Sequence, residues 1–265
     1  MGGSRRATIA TASTVLFFGA VIAALLNSPG WPEIESAFFD RQIFTESLPV
    51  IVRKFGWNIF IFCVAEALVL VLALFVAVLR GLPGPLFAPL RLVAIGYTDL
   101  FRGVPTILVI SLLGFGMPAL QLQGVPRSDL FWGIMALVLV YGAYVAEIYR
   151  AGIESVHPSQ VAAARSLGLS RWLALRHVVL PQAVRRVIPP LLNDFIGLQK
   201  DSALVAFLGF VEGLQQANLD SQATFNFTPY VALALVYLVI TVPMTRYVDH
   251  LLLRQRRRRE AVAQL

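Results

Sequence analysis

The sequence HPSQVAAARSLGLSRWLALRHVVLPQAVRRVIPPLLNDFIGLQKDS, residues 157–202, lies between two long apolar segments, and its first half is polar. Pro158 and Ser159 favour the start of a short helix at the beginning of this stretch. Gly168 favours the end of that helix, because glycine tolerates the left-handed backbone conformation with which many helices terminate. Residues 158–168 are therefore predicted to form a short helix.

A second short helix is predicted directly afterwards, capped by Ser170 and stopped by Pro181. Pro189 and Pro190 then suit the first turn of a third, membrane-crossing helix. The whole stretch predicts two short helices that are held at a membrane surface by longer helices on either side.

The composition excludes an ordinary soluble domain. Hydrophobic residues make up 57% of the 265 residues and charged residues only 14%, so polar residues are too few to cover the apolar bulk. Apolar stretches of about 20 residues, the length that crosses a bilayer as a helix, occur at six places: 8–27, 56–80, 88–116, 129–150, 185–209 and 229–252. The predicted fold is an all-α integral membrane protein with about six transmembrane helices.

The first apolar stretch has two interpretations. It follows Arg5 and Arg6 as the apolar region of a signal peptide would, but it is long for one, and no small-residue cleavage site ends it before Asn27. We therefore interpret it as a membrane helix that is followed by a polar linker. The sequence shows neither an internal repeat nor a second domain.

The distribution of basic residues predicts the orientation of the chain. If the N-terminus is cytoplasmic, most arginines fall on inner segments, whereas the outer segments carry only Arg41, Arg53, Lys54 and Arg127. Cytoplasmic segments of membrane proteins are enriched in arginine and lysine. We therefore expect a multi-pass protein of the cytoplasmic (inner) membrane, with both termini and the loop that begins at His157 in the cytoplasm.

The net charge of +7 does not by itself indicate nucleic-acid binding, because most basic residues lie beside apolar spans. The tail Arg254–Arg259 would suit either a nucleic acid or lipid headgroups, and its place directly after a membrane helix favours the lipids. Cys63 is the single cysteine and lies in an apolar run, so neither a disulfide nor a thiolate zinc site is predicted.

Within the opening stretch, a run of three alanines (162–164), Gly168, Val178 and Leu180-Pro181 stand at a recognisable spacing. They resemble the cytoplasmic loop of binding-protein-dependent ABC importer permeases, whose pattern is Glu-Ala-Ala, three residues, Gly, nine residues, Ile, one residue and Leu-Pro. Ala162 departs from this pattern, since the family usually has Glu there. Val178 is a mild change from Ile.

Three further stretches resemble the polar amino acid branch of that family: Phe101–Pro105, Ala143–Gly152 and Lys200–Leu204. The resemblance covers roughly residues 50–250, in order and at family-like spacing. It implies a five-helix permease core with one additional N-terminal helix. The expected divisions are an N-terminal helix and extracytoplasmic linker, a permease domain and a basic cytoplasmic tail, at 1–50, 51–253 and 254–265.

The sequence offers no catalytic residue and no metal site. Neither Lys54 nor Lys200 lies in a phosphate-binding loop of the G-x-x-x-x-G-K-[ST] type, and the three histidines lack metal-ligand spacing. No cofactor is therefore expected in this chain. The resemblance implies that ATP and Mg²⁺ bind to a separate ATPase partner.

The resemblance assigns the coupling of transport to ATP hydrolysis to the predicted 158–168 helix. About ten helical residues span roughly 15 Å, enough to lie in a groove on a partner. Small side chains allow close approach, and polar side chains supply contacts. The predicted ATPase-coupling residues are Ser159, Gln160, Ala162, Ala163, Ala164, Arg165 and Gly168. On periodicity alone, a re-entrant or surface helix without a partner fits this stretch equally well.

Polar side chains at membrane depth are costly and usually face water or the interior of a bundle. The residues predicted to line a solute path are Glu66, Arg102, Asn193, Gln199, Lys200, Asp201 and Ser202. In such a path, Arg102 or Lys200 would contact the carboxylate of a zwitterion. Glu66 or Asp201 would contact its ammonium group.

Internal ion pairs that fix helix packing are the alternative for these groups. Lys200 could pair with Glu66, and Arg102 with Asp99. Packing is the favoured interpretation for Asp201 and Arg102. Glu66 is the better candidate for solute contact, because no basic residue nearby in its own helix can neutralise it.

Two glycine-containing segments, 103–105 and 114–116, are predicted to break the third apolar stretch, either as gates or as packing kinks. Near the cytoplasmic end of the fourth stretch, Glu147, Arg150 and Glu154 stand about one helical turn apart. We expect these three residues to brace the adjoining loop rather than to contact solute.

We expect the membrane subunit of an ATP-driven importer of polar amino acids, which works by alternating access. The resemblance implies a second permease chain, like or unlike the first, with two ATPase subunits and an extracytoplasmic binding protein. Membrane lipids and an amino acid substrate complete the expected partners, and nucleic acid is not among them. The alternatives are a permease for another small solute such as an osmolyte, an intramembrane enzyme with Glu66 and Asp201 as paired carboxylates, and a structural membrane scaffold.

Overall fold

The computed structural model describes the backbone of residues 2–263 and the side chains of residues 9–254, and these residues form helices without a strand. The all-α membrane fold is therefore confirmed. The side chains of the basic tail beyond Arg254 lie outside the described residues, so its role as a lipid anchor stays a prediction.

The helices follow in this order: α1 Gly2–Leu26, α2 Trp31–Phe38, α3 Arg41–Gly81, α4 Ala88–Gly103, α5 Thr106–Ala119, α6 Asp129–Glu154, α7 Pro158–Ser166, α8 Arg171–Ala174, α9 Leu180–Asp201, α10 Gly213–Thr224 and α11 Thr228–Ala263. Turns of 3₁₀ helix cover Pro85–Phe87 and Ser202–Leu208. A π turn covers Leu175–Val179 and joins α8 to α9.

Four stretches within the described residues are helical, long and apolar enough to cross a membrane: Ile9–Leu26, Trp31–Gly81, Asp129–Glu154 and Thr228–Arg254. The helices α4 and α5 meet at a bend of 104°, and together they are long and apolar enough to make a fifth span. The predicted number of six is not confirmed. The predicted fifth span falls on α9, whose charged residues recur along its length: Arg185, Arg186, Asp194, Lys200 and Asp201.

Two predicted helix boundaries are wrong. Pro181 does not stop the second short helix, because the chain continues through the π turn into α9 and places Pro181 in the first turn of that helix. A proline is tolerated there, since the first-turn N–H groups of a helix have no intrahelical acceptor. Pro189 and Pro190 consequently lie inside α9 and not at its start.

The predicted break of the third apolar stretch is observed at only one of its two positions. The chain bends between Gly103 and Thr106, around Pro105. The other segment, 114–116, lies inside α5. Gly114 serves close packing instead, since an added Cβ would meet the Leu208 side chain at 2.3 Å.

Helix α6 is the centre of the bundle and packs against α3, α4, α5 and α9. Its glycines allow the neighbours to approach closely: an added Cβ would meet Val205 at 2.7 Å from Gly133, and Val187 at 2.1 Å from Gly152. Small residues of this kind favour helix association in lipid, where packing replaces the hydrophobic effect between helices. By contrast, none of the residues in the span Ile9–Leu26 is buried, so α1 lies outside this core.

The two ends of the bundle are tied by different contacts. At one end, the backbone N–H of Asp40 donates to Thr228 Oγ1 at 3.0 Å, which joins the start of α3 to the start of α11. At the other end, Arg80 Nη1 donates to Glu147 Oε2 at 2.8 Å, which joins the end of α3 to the end of α6. Because α3 has 41 residues, its ends lie about 60 Å apart. Helix α7 follows α6 and therefore belongs to the Glu147 end.

Candidate coupling helix and solute cavity

Helix α7 begins as the sequence predicted. Pro158 occupies its first turn, and the His157 side chain caps it, because Nδ1 accepts a hydrogen bond from the Ser159 backbone N–H at 3.2 Å. The histidine thus takes the place of the serine or aspartate that more often caps a helix.

Gly168 terminates α7 as predicted, with φ of +86°. The Gly168 N–H donates to the Arg165 carbonyl at 3.0 Å, and the Leu169 N–H donates to the Ala164 carbonyl at 3.2 Å. These two bonds form a Schellman termination, which needs a left-handed residue at the glycine position.

Most of the predicted coupling residues face away from the rest of the chain. The exposed ones are Ser159, Gln160, Ala162, Ala163, Arg165 and Gly168. Ala164 is buried instead, and its neighbour one turn earlier, Val161, packs on a small apolar cluster formed by Val156, Val179 and Ala183. Ala164 therefore lies on the side of α7 that faces its own chain, and the opposite side is free for a partner.

Two apolar side chains beside α7 were missed in the sequence analysis. Leu167 is 84% exposed and Trp172 is also exposed. The signal was present, since both are large hydrophobic residues within a short polar loop. Together with the exposed side of α7 they form a surface with small, polar and apolar groups.

Glu147 joins three helices at the α7 end of the bundle. Its carboxylate accepts hydrogen bonds from Arg80 of α3 at 2.8 Å and from Arg150 of α6, and Arg102 of α4 lies 4.0 Å away. Arg80 also donates to Thr98 Oγ1 at 2.9 Å. The predicted alternative partner of Arg102, Asp99, is not its observed partner, because Arg102 faces Glu147 across the bundle.

The contacts of Arg150 and Arg186 continue this cluster toward α7. Arg150 bonds Glu154 as well as Glu147, and Arg186 of α9 donates to the carbonyl of Ser155. The bracing predicted for Glu147, Arg150 and Glu154 has a geometric basis here, since the bonds hold the end of α6 from which α7 follows.

Glu147→Gln is expected to destabilise the bundle, because Arg80 and Arg150 would lose a half-buried carboxylate that neutralises both. Hydrogen bonds to charged groups contribute about 1.5–3 kcal/mol, which corresponds to a fall of roughly 5 °C in the midpoint of thermal unfolding. The midpoint can be measured in detergent. The matched control is Glu154→Gln: the Glu154 side chain is 61% exposed, against 21% for Glu147. Equal midpoints for the two variants would contradict a bracing role for Glu147.

A cavity of about 450 Å³ opens between α4, α6 and α9, beside this cluster. Its volume lies within the range of small-molecule sites, about 300–1,000 Å³. The polar lining includes Arg102, Arg186, Glu147, Asp194 and Ser155, with the aromatic ring of Tyr144.

The charges that line the cavity are unequally neutralised. Glu147 is paired with Arg80 and Arg150, which do not line the cavity. Asp194 Oδ2 is buried and has no hydrogen-bond partner among the described residues. The cavity lining therefore combines arginine side chains with a carboxylate oxygen that has no partner among the described residues, which suits a molecule that carries both charges.

The structure brings only part of the predicted solute path together. Arg102 lines the cavity, and Glu66 of α3 lies within electrostatic range of Asp194. No ion pair is observed for Glu66 among the described residues, so its predicted alternative pairing with Lys200 is not seen. Lys200 and Asn193 are exposed and do not line the cavity.

The remaining predicted path residues take part in packing contacts. Asp201 accepts a hydrogen bond from the Tyr141 hydroxyl at 2.9 Å. Gln199 accepts one from Thr241 at 3.3 Å, while its Nε2 has no partner among the described residues. Ser202 is fully buried and accepts a hydrogen bond from the Asn58 amide at 3.4 Å.

Asn58 and Glu212 are central to that buried polar cluster, and neither was predicted. Asn58 donates to Tyr237 at 3.2 Å and accepts from the Gly213 N–H at 3.0 Å, which ties α3, α10 and α11 together. Glu212 is fully buried and caps α10, because its carboxylate accepts hydrogen bonds from the backbone N–H groups of Leu214 and Gln215. Burial raises the pKa of the Glu212 carboxyl, although these donors act in the opposite direction. The sequence did contain a signal for Asn58, since its side-chain amide stands within the apolar run of α3.

Comparisons with known proteins agree with this architecture. A family model described as binding-protein-dependent transport system inner membrane component matches residues 70–257. A Bacillus subtilis protein named probable glutamine ABC transporter permease is 38% identical over 184 residues, which are 68% of this chain and 82% of that protein. A second Bacillus subtilis protein, named probable amino-acid ABC transporter permease, is 34% identical over 217 residues, which are 82% of this chain and 92% of that protein.

A crystal structure of an amino acid ABC transporter with histidines contains a similar chain. The two are 32% identical in sequence and superpose with a TM-score of 0.73. The match covers 82% of this chain and 98% of the other.

Proposed function

Because this chain belongs to the family of binding-protein-dependent transport system inner membrane components, we propose that it is the permease subunit of an ATP-driven importer of polar amino acids. It is a multi-pass inner-membrane protein and a transport subunit, not an enzyme. Relatives named as glutamine and amino-acid permeases support an amino acid as the solute. Membership of this transport family removes the intramembrane-enzyme alternative, whereas an osmolyte remains the competing solute.

The observation that carries the choice of solute is the mixed charge of the 450 Å³ cavity. An amino acid carries a carboxylate and an ammonium group. In our proposal Arg102 and Arg186 bind the carboxylate, because guanidinium groups recognise carboxylates through paired hydrogen bonds. Asp194 binds the ammonium group, and Glu66 adds negative potential behind it.

Coupling to ATP hydrolysis is assigned to the exposed side of α7. Ser159, Gln160, Ala162, Ala163 and Arg165 provide a narrow surface that would fit a groove on an ATPase subunit, with ATP and Mg²⁺ bound on that subunit. The contacts of Arg150 and Arg186 around the end of α6 support this assignment, because they would transmit movement of α7 into the bundle.

The proposed mechanism is alternating access in a pore of two permease chains, like or unlike. Closure of two ATPase subunits would move α7, and the broken helix α4–α5 with α9 would change access to the cavity from one side to the other. The bend of 104° between α4 and α5 supports this step, since discontinuous helices often line transport sites. An extracytoplasmic binding protein would deliver the amino acid, and the arginine-rich end with both termini would face the cytoplasm.

Glu66→Gln is expected to alter the solute affinity of the importer, because Glu66 lies within electrostatic range of Asp194 and forms no ion pair with any described basic residue. Loss of one nearby charge should raise the apparent KM for uptake by about three- to tenfold without lowering the amount of inserted protein. Uptake of a labelled amino acid by proteoliposomes measures both parameters. Glu46→Gln is the matched control, since Glu46 is an exposed carboxylate on the same helix. Unaltered kinetics of Glu66→Gln would assign Glu66 to packing.

The proposal as a whole is tested by reconstituting the chain with its ATPase partners and binding protein. Amino acids, and not osmolytes, should stimulate ATP hydrolysis and accumulate inside the vesicles. If only an osmolyte stimulates ATP hydrolysis, the solute is an osmolyte and not an amino acid. Accumulation of solute without any ATPase would contradict the proposed class of transporter.

A further inference from the structure

The turn between α10 and α11 holds an aromatic side chain in an unusual position. Phe225 has φ of +52° and is 95% exposed, the largest exposed fraction among the large hydrophobic residues that the structure describes. A bulky residue rarely adopts the left-handed backbone conformation, which costs about 1–2 kcal/mol for residues with a Cβ. Such strain persists where surrounding contacts enforce it, and it concentrates at functional positions.

The turn is held by a hydrogen bond within itself and by two hydrogen bonds to α2. The Asn226 amide donates to the Ser36 carbonyl at 2.6 Å and accepts from the Thr228 N–H at 2.8 Å. The Phe227 N–H donates to the Ala37 carbonyl at 2.7 Å. The ring of Phe225 is therefore presented from a fixed backbone, which lowers the entropy that a partner must remove on binding.

A groove of about 580 Å³ lies beside Phe225. One part of its lining is aromatic, from Phe225, Phe227 and Tyr230, and the other part is polar: Asn218, Ser221 and Gln222. The amides are already ordered, since Gln222 and Tyr230 both donate to Asn218 Oδ1, at 2.9 Å and 3.0 Å. An exposed aromatic anchor beside ordered polar groups is typical of protein–protein contact sites.

The position and charge of the turn restrict its partner. It belongs to the Thr228 end of the bundle, opposite α7. No lysine or arginine occurs between Lys200 and Arg246, whereas Asp220 lies on α10. The segment therefore lacks the basic residues that bind anionic lipid headgroups, and lipid tails could not satisfy the amides of the groove. A protein partner fits better: an apolar pocket would accept the Phe225 ring, and a basic or amide-rich rim would contact Asp220 and the groove amides.

We propose that the turn 224–228 and its groove form the docking surface for the extracytoplasmic solute-binding protein. The ring of Phe225 inserts into an apolar pocket of that protein, and Asp220 and the groove amides contact the rim of the pocket. This inference rests on the proposed function, because it requires α7 to face the cytoplasm and the Thr228 end to face the binding protein.

The test is ATP hydrolysis by the complete reconstituted transporter as the concentration of solute-loaded binding protein is raised. Phe225→Gly removes the ring and also relieves the left-handed strain, so the chain should fold at least as well. The binding-protein concentration that gives half-maximal stimulation should rise about tenfold, since aromatic anchors dominate interface energies. Hydrolysis without binding protein should be unchanged. Phe225→Tyr should retain the wild-type value, and so should Phe75→Ala, which removes another exposed ring from the side of α3.

An unchanged half-maximal concentration in Phe225→Gly would overturn the docking surface while leaving the importer function intact. The lipid alternative is tested with Phe225→Trp in vesicles of brominated lipid, in a chain whose four natural tryptophans are replaced by phenylalanine. Quenching of its fluorescence by the lipid, without any change on addition of binding protein, would also overturn the proposal. A wild-type complex that does not respond to binding protein at all would contradict the proposed function itself.

Discussion

Replacing Gly168 with valine should strongly lower ATP-driven uptake while the chain remains inserted in the membrane. Gly168 adopts φ of +86° at the end of α7, and nothing lies within 4 Å of an added Cβ, so the effect arises from the backbone alone. A left-handed conformation costs about 1–2 kcal/mol for an ordinary residue, and a β-branched residue tolerates it least. The bonds to Arg165 and Ala164 would be lost, and α7 would end in a different direction.

The measurement is uptake and ATP hydrolysis in the same proteoliposomes. In Gly168→Val, we expect uptake to fall by about tenfold or more, since the altered end of α7 removes the proposed contact with the ATPase, while basal hydrolysis continues. Gly168→Asn is the matched control, because asparagine tolerates the left-handed region better than other residues with a side chain. Normal coupled uptake by Gly168→Val would contradict the role of α7.

The second large effect is expected for Asp194→Asn. Asp194 Oδ2 is buried without a hydrogen-bond partner in the part of the chain that the structure describes, and the residue lines the cavity between α4, α6 and α9. If it binds the ammonium group of the solute, neutralising it removes a charge-assisted hydrogen bond worth about 1.5–3 kcal/mol. The apparent KM for uptake should then rise by about ten- to a hundredfold, because each 1.4 kcal/mol corresponds to about a factor of ten.

The matched control is Asp99→Asn on α4, where the carboxylate is exposed and does not line the cavity. It should leave the KM for uptake unchanged. If Asp194→Asn has wild-type KM but a lower midpoint of thermal unfolding, Asp194 contributes to stability and not to solute binding. That result would remove the anionic half of the proposed site.

Features that depend on one residue and its immediate neighbours could be predicted from the sequence. Gly168 ends α7, and Ser170 caps α8, since the Leu173 N–H donates to its hydroxyl at 3.3 Å. Gly103 and Pro105 flank the bend between α4 and α5. In each case a backbone conformation or a capping bond is a property of the residue itself, so no knowledge of tertiary packing was needed.

The wrong helix boundaries depend on packing. A proline stops a helix only if the helix has already begun, and otherwise it favours the first turn. Val179 and Ala183 are buried against Val156, which places the start of α9 upstream of Pro189 and directly before Pro181. The local sequence is compatible with either arrangement, and the contact with Val156, in the connection between α6 and α7, decides between them.

The candidate site was predicted only in part, because it also depends on contacts between helices that are distant in sequence. Arg102 was recognised, but its partner Glu147 lies in another helix, and only Asp99 was near enough in sequence to be considered. Asn58 and Glu212 come from distant segments that meet in a buried cluster. Asp194 was not among the predicted path residues, because the burial of its Oδ2 without a partner among the described residues becomes evident only in three dimensions.

The central claim is that α7 faces the cytoplasm and is bound there by an ATPase subunit. Ala163 is exposed on α7, so Ala163→Cys in a Cys63→Ser background provides a single thiol for a membrane-impermeant maleimide. The thiol should react in inside-out vesicles, fail to react in right-side-out vesicles, and become protected when the ATPase subunits are bound. Labelling from the outer side, or equal labelling with and without the ATPase, would contradict the account.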